Sequence, residues 1–194
     1  MAYTTCAGAL SNIGVQCAEK TVAGFTGRGL LGLKSSAVFT LDANGDLLSV
    51  TDTNMVLVDN VWQNALDGTA KQMTTDNGRP AWHTDLSVRV PRVATEAGAK
   101  AARDNEKALA TNSLWGIFER EDGTYVAYGV NGKLIATAET QAENTAGGDW
   151  VNTLGTDEST PETLFVETPA SGSDPAVSAK SKFNTMWNTI VNAA

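Results

Sequence analysis

The chain has 194 residues, 42% of them hydrophobic, which suffices for one well-buried domain or for a domain with arms. Its formal net charge of −8 comes from one acidic segment, which argues against nucleic-acid binding through that surface, since phosphates would be repelled. No apolar run approaches the roughly 20 residues that span a bilayer. The start of the sequence has neither the basic flank nor the apolar core of a secretory signal. We therefore expect synthesis in a cytoplasm and no membrane contact.

The acidic excess is confined to one segment. From Leu134 to Ala179 the sequence has eight acidic residues and no lysine or arginine, which leaves fourteen of each sign elsewhere. The eight are Glu139, Glu143, Asp149, Asp157, Glu158, Glu162, Glu167 and Asp174. A surface of one sign acts over a Debye length of about 8 Å. Two interpretations stay open: a solvated acidic face that aids solubility, or a field that repels nucleic acid.

The first 33 residues are rich in glycine and small apolar side chains. Six glycines fall between Ala7 and Gly32, and each would destabilise a helix by about 0.5–1 kcal/mol. We predict an irregular arm over residues 1–33 that lies on the chain's own sheet or on a neighbouring subunit. The arm contains both cysteines, Cys6 and Cys17, as two free thiols in a reducing compartment or, alternatively, as a disulfide closing a short loop.

A hairpin is predicted next, because Ala37–Leu41 and Leu47–Thr51 flank a turn at Asp42–Asp46. The acidic and amide side chains of this turn match the first three ligand positions of a calcium-binding EF-hand loop. The match then fails, since the sixth position is Leu47 and the twelfth is Thr53. Turn chemistry therefore explains these residues better than metal binding.

The middle of the chain contains shorter signals. We predict a strand at residues 55–58, a polar loop from 59 to 75, and a half-buried strand at 86–90. Residues 95–110 favour helix on propensity. Three basic residues share one face of this helix, which is either a contact stripe or an ordinary solvated face; they are Lys100, Arg103 and Lys107.

The strongest strand signals lie between residues 114 and 167. Asp122-Gly123 and Asn131-Gly132 suit hairpin turns, because glycine accepts a positive φ. They separate runs of β-branched and aromatic residues. We predict a meander of strands 115–119, 124–130 and 133–140, followed by strands 149–154 and 163–167. Residues 34–167 are thus predicted as one mainly β domain.

The C-terminal segment predicts a hinge and an amphipathic helix over residues 168–194. Asp174 is a suitable N-cap before Pro175. Apolar side chains then recur at helical spacing and form one stripe. The stripe either packs on the chain's own sheet or docks across a subunit boundary. The interface candidates are Phe183, Met186, Trp187 and Ile190, with Val191 extending the stripe.

No chemical motif emerges from the sequence. His83 is the one histidine, so a catalytic triad would have to use it, yet no glycine-framed nucleophile accompanies it. The glycines at 24, 27 and 29 do not follow the dinucleotide-binding order. We predict no enzyme activity, no cofactor and no catalytic or metal-binding residue.

The order of several short motifs resembles a family of virion structural proteins from tailed phages of the Bacteroidetes, crAss-like phages among them. The resembling segments run through most of the chain. They are Thr4–Ser11 with Cys17, Gly24–Leu31, Phe39–Asp42, Val58–Trp62 and Glu143–Leu154.

This resemblance implies a mainly β (α+β) fold: an antiparallel β-sandwich or barrel of tail-tube type with one flanking helix and a C-terminal helix. It also implies a tail or neck ring, made in the host cytoplasm, whose partners are copies of itself and other neck or tail proteins. DNA would pass nearby without specific binding. We expect Glu139, Glu143, Asp157 and Glu158 to face the channel. The alternative is a monomeric carbohydrate- or peptide-binding β-sandwich module.

Overall fold

The computed structural model describes residues 24–59, 67–74, 80–90, 95–141, 150–158 and 162–193. Within these residues the chain forms eleven strands and two helices. The strands are β1 (Phe25–Leu33), β2 (Val38–Leu41), β3 (Leu47–Thr51), β4 (Val56–Asp59), β5 (Asp67–Thr74), β6 (Pro80–Val90), β7 (Leu114–Arg120), β8 (Tyr125–Tyr128), β9 (Ile135–Gln141), β10 (Trp150–Glu158) and β11 (Thr163–Leu164). The helices are α1 (Glu96–Thr111) and α2 (Ala179–Ala193).

The strands form two sheets and a separate hairpin. The central sheet has the order β11-β8-β7-β1-β4, and the outer sheet has the order β5-β6-β10-β9. Strands β2 and β3 form the hairpin. These strands pair antiparallel throughout. The prediction of a mainly β fold with antiparallel sheets and two helices is confirmed, while the sandwich or barrel of tail-tube type stays a prediction.

The central sheet is covered on both faces. One face shares an apolar core with the outer sheet, in which Phe118 and Val126 meet Leu86 and Leu154. The other face packs against the β2–β3 hairpin and α2. Because side chains on both faces are enclosed, all four residues of β8 and the first five of β7 are buried.

The prediction of an irregular arm is wrong for residues 25–33, which form β1 between β7 and β4. Glycine is needed here because rings from β7 cross the strand. A Cβ built on Gly29 would lie 2.6 Å from Cε1 of Phe118, and one on Gly32 would lie 2.6 Å from Nε1 of Trp115. The glycines therefore make room for rings in the sheet, as close backbone approach often requires. Residues 1–23 lie outside the described part of the chain.

The predicted meander is half right. Strands β7 and β8 pair around Asp122-Gly123, with a φ of 83° at Gly123. The second hairpin, at Asn131-Gly132, is wrong, because β9 pairs with β10 in the outer sheet. The positive φ falls at Gly129 instead, at 74°. Lys34 Nζ donates to the carbonyl oxygens of residues 129, 130 and 132, which holds the crossover between the sheets.

The predicted loop at residues 59–75 is also partly wrong. Residues 67–74 form β5, which pairs with β6 at the edge of the outer sheet. Strand β6 begins at Pro80, six residues before the predicted start at Leu86. The sequence of β5 is mostly polar, so its hydrophobic pattern gives no strand signal.

Both predicted helices are present, but α2 starts later than expected. Asp174 instead closes a tight turn with Ser171, since the two residues exchange backbone hydrogen bonds of 2.9 and 3.0 Å. Thr168 and Val177 pair in the same way. The first turn is capped by Ser178 Oγ, which accepts from the backbone N–H of Ser181 at 3.2 Å. Asp174 is therefore not the N-cap.

Candidate functional site

A groove opens between the edge of the central sheet, the end of β6 and helix α1. Its volume is about 540 Å³. Most of the described lining is apolar, and Asp59 and Arg89 are the charged residues within it. The groove therefore offers a mainly hydrophobic surface. Its apolar lining includes Leu31, Leu33, Val56, Val58, Val90 and Leu109.

Two strand edges border the groove. Among the described strands, β4 pairs with β1 alone. Strand β5 follows β6 only as far as Ser87, so residues 88–90 pair with β10 alone within the described chain. An edge strand presents a row of backbone N–H and C=O groups that another strand can pair with. Val56 on β4 is 56% exposed beside this edge.

Helix α1 forms the remaining wall. Thr95 caps it by accepting from the backbone N–H of Gly98 at 3.1 Å. On its buried side, Glu106 accepts a 3.0 Å hydrogen bond from Asn152 Nδ2 of β10. Leu109 packs against the core between the two sheets. The helix is therefore held against the outer sheet.

The groove can bind an extended chain segment. Backbone groups along β4 would supply directional hydrogen bonds, and the apolar floor would accept alternate side chains of an added strand. Its volume also lies in the range of about 300–1,000 Å³ typical of small-molecule pockets. The sequence analysis missed this site, because its lining comes from elements far apart in the chain.

The chain matches no protein-family model and no curated protein. Neither described helix combines the length and apolar character that crossing a bilayer requires. In the described part of the chain, no cluster of three or more His, Cys, Asp or Glu side chains could hold a metal ion.

The predicted interface residues of α2 lie away from the groove, on the second core of the central sheet. Phe183 is fully buried there, and Met186, Trp187 and Ile190 are partly buried against the same core. Contact of these residues with another copy stays a prediction. The helix itself packs on the chain's own sheet.

Two basic residues fasten α2 to the sheet. The Arg28 guanidinium lies 4.5 Å from the ring centre of Trp187 and donates to Asn184 Oδ1 at 3.2 Å. Lys182 Nζ donates to the carbonyl oxygens of Leu48 and Val166. Burial lowers the pKa of Lys182 below its usual range.

For the predicted channel acids, the structure describes at most the position of the backbone. Glu139 lies opposite Asn152 in the β9–β10 pair, and Asp157 lies opposite His83 in the β10–β6 pair. Glu158 is the last residue of β10. The side chains of these three acids, and all of Glu143, lie outside the described residues. Their channel-facing role stays a prediction.

Four other residues were singled out in the sequence, and they are His83, Asp42, Cys6 and Cys17. His83 lies in β6, with its Nε2 3.1 Å from Asp85 Oδ1. Asp42 Oδ1 accepts from the backbone N–H groups of Asn44 and Asp46, at 2.8 and 2.9 Å. These hydrogen bonds lower the pKa of Asp42 and show the turn chemistry expected of this loop. Cys6 and Cys17 lie outside the described residues.

Tyr125 is a buried residue whose surroundings predict that stability depends on alkaline pH. Its hydroxyl donates to Glu119 Oε1 at 2.9 Å, and Glu119 also pairs with Arg28 at 3.0 Å. Burial, together with the hydrogen bond to Glu119, raises the pKa of Tyr125 above its usual value near 10. Since the folded pKa exceeds the unfolded one, this stabilisation is complete below about pH 10 and is lost as pH rises further.

We expect the Tyr125→Phe variant to lose less stability than the native chain between pH 9 and pH 11. The phenylalanine has no proton to release, so its unfolding free energy should fall less over this range. Urea titrations of both proteins at pH 7, 9, 10 and 11 would measure the difference. Parallel pH curves for the two proteins would contradict the assigned pKa shift.

Proposed function

We propose that the protein is a structural subunit of a phage virion that forms a homo-oligomeric ring in the tail or neck around the DNA channel. The observation that carries the proposal is the apolar groove beside the edge of β4 that no described strand pairs with. A hydrophobic groove beside unpaired strand edges favours association with another chain. The order of sequence motifs, which resembles that of virion proteins, supports the same role.

The segregated charge supports a place beside the channel. Strands β9 and β10 are neighbours in the outer sheet and carry Glu139, Asp157 and Glu158. A wall of one negative sign would repel DNA phosphates and so let the DNA pass without adhering. A map of the assembled ring with these acids on its outside would contradict this part of the proposal.

The assembly itself is tested by light scattering coupled to size exclusion, on the chain alone and with neck or tail proteins of the same phage. We expect the native chain to form one closed oligomer, alone or with such a protein. The Val56→Lys variant should fall to monomer or lose at least tenfold in association affinity, because a charge would enter the apolar groove.

Val38→Lys is the matched control for this test. Val38 is 67% exposed on the β2–β3 hairpin and does not line the groove. The control should assemble like the native chain, and both variants should unfold at nearly the native urea concentration. Equal assembly of the two variants would show that the groove has no part in the contact.

The groove also favours a second candidate, a monomeric module that binds extended peptides. Its open strand edges suit the pairing of peptide backbone, as in domains that recognise their ligands by strand addition. The carbohydrate version of this alternative has less support, because Trp115 is fully buried and Trp187 lies under Arg28. A chain that stays monomeric with all virion partners and binds apolar extended peptides would favour this second candidate.

A further inference from the structure

We infer that the groove receives residues 13–17 of a neighbouring copy, added as a strand along the open edge of β4. This inference rests on the proposed homo-oligomeric ring and names the contact that would join its subunits.

The receiving edge has the length of a short strand. The four residues of β4 extend about 13 Å, and a five-residue strand extends about 17 Å. Side chains on one face of the added strand would point toward the apolar lining, which includes Val56 and Val90. The mainly apolar groove therefore favours a strand with apolar residues at alternate positions.

The N-terminal sequence contains such a segment. Ile13, Val15 and Cys17 alternate with Gly14 and Gln16, which is the period of a strand with one apolar face. No charged side chain occurs from Met1 to Ala18, and Glu19 is the first. An uncharged segment can enter an apolar groove without the desolvation penalty of a buried charge.

The segment can reach another subunit. The described chain begins at Gly24, so Cys17 lies seven residues and Ile13 eleven residues before it, and fully extended stretches of these lengths span about 23 and 36 Å. A compact domain of 194 residues has a radius of gyration of about 16 Å. Residues 13–17 can thus extend beyond the radius of their own domain and lie on the next one.

The test is a cross-linking experiment between two full-length chains that each carry one thiol. The first chain contains Cys6→Ser, Cys17→Ser and Val56→Cys, so its single thiol lies in the groove. The second chain contains Cys6→Ser and keeps Cys17. The two are mixed, one of them labelled with ¹⁵N, and treated with a short bismaleimide that tolerates small differences in register.

We expect labelled–unlabelled pairs linked between residues 56 and 17, at least fivefold above a control in which Val38→Cys replaces Val56→Cys. Val38 is at least as exposed as Val56 but lies outside the groove. Ile13→Asp in the second chain should reduce the yield at least fivefold, whereas Asn12→Asp, on the opposite strand face, should leave it unchanged.

Equal yields with the thiol at residue 56 or 38 would overturn the inference. So would linkage of residues 17 and 56 only within one chain, in a protein that carries both thiols. Light scattering on the same samples separates the two proposals. An assembled oligomer without the 56–17 link leaves the ring standing and removes this contact, whereas a monomer under all conditions counts against the ring as well.

Discussion

Replacing Gly29 by alanine is expected to lower the free energy of unfolding by about 3 kcal/mol. The added methyl group would lie 2.6 Å from Cε1 of Phe118, a ring that is fully buried between the two sheets. Neither group can move aside easily, because Gly29 is in a strand paired on both edges. The core must therefore expand or the register of β1 must shift. Urea denaturation at neutral pH measures the loss.

Gly45→Ala is the matched control for this substitution. Gly45 has a φ of 89° and no atom within 4 Å of an added Cβ, so alanine there should cost about 1 kcal/mol through backbone strain alone. A second test is Phe118→Leu in the Gly29→Ala background, where the smaller side chain should make the alanine less costly than in the native background. Similar losses at Gly29 and Gly45 would contradict the packing explanation of the glycines in β1.

Strand β1 could not be predicted, because the residues that require its glycines lie far from it in the sequence. Local glycine density argues against regular structure, and the rings that require these glycines belong to residues 115 and 118, about 90 positions later in the chain. The same rings appear in the sequence as ordinary strand residues of β7. Only the pairing of β1 with β7 brings the two patterns together.

Elements with local signals were predicted well. The β2–β3 and β7–β8 hairpins have their turn residues between apolar runs, and α2 has its stripe at helical spacing. The choice of sheet for β9 has no such signal, since the alternation of a strand is the same in either sheet. Lys34 and Gly129 direct the chain across, and Lys34 lies 95 positions before the glycine whose carbonyl oxygen it binds.

The two candidate surfaces also differ in whether the sequence indicated them. The apolar stripe of α2 was visible in the sequence, because Phe183 and Trp187 are four residues apart on one helix. The groove was not visible, since Leu31, Val56, Val90 and Leu109 come from four elements. A stretch such as Met55–Val58 predicts a strand, but whether that strand lies at an open edge depends on the assembled sheet.

Phe183→Ala is expected to lower the free energy of unfolding by about 4 kcal/mol. Phe183 is fully buried, with its ring centre 4.9 Å from that of Tyr125 and 6.0 Å from that of Trp187. The substitution would leave a cavity beneath the Arg28 guanidinium, which lies 5.4 Å from the ring. Since the contacts are within one chain, the shift in the urea midpoint should be the same at low and high protein concentration.

Val191→Ala is the matched control on the same helix. Val191 is 49% exposed, so its truncation should change stability by no more than about 0.5 kcal/mol. A loss below about 1 kcal/mol for Phe183→Ala, or a midpoint shift that grows with protein concentration, would mean that α2 is stabilised mainly by another copy. The concentration series therefore separates a helix that completes its own domain from a helix that joins subunits, and the structure favours the first for Phe183.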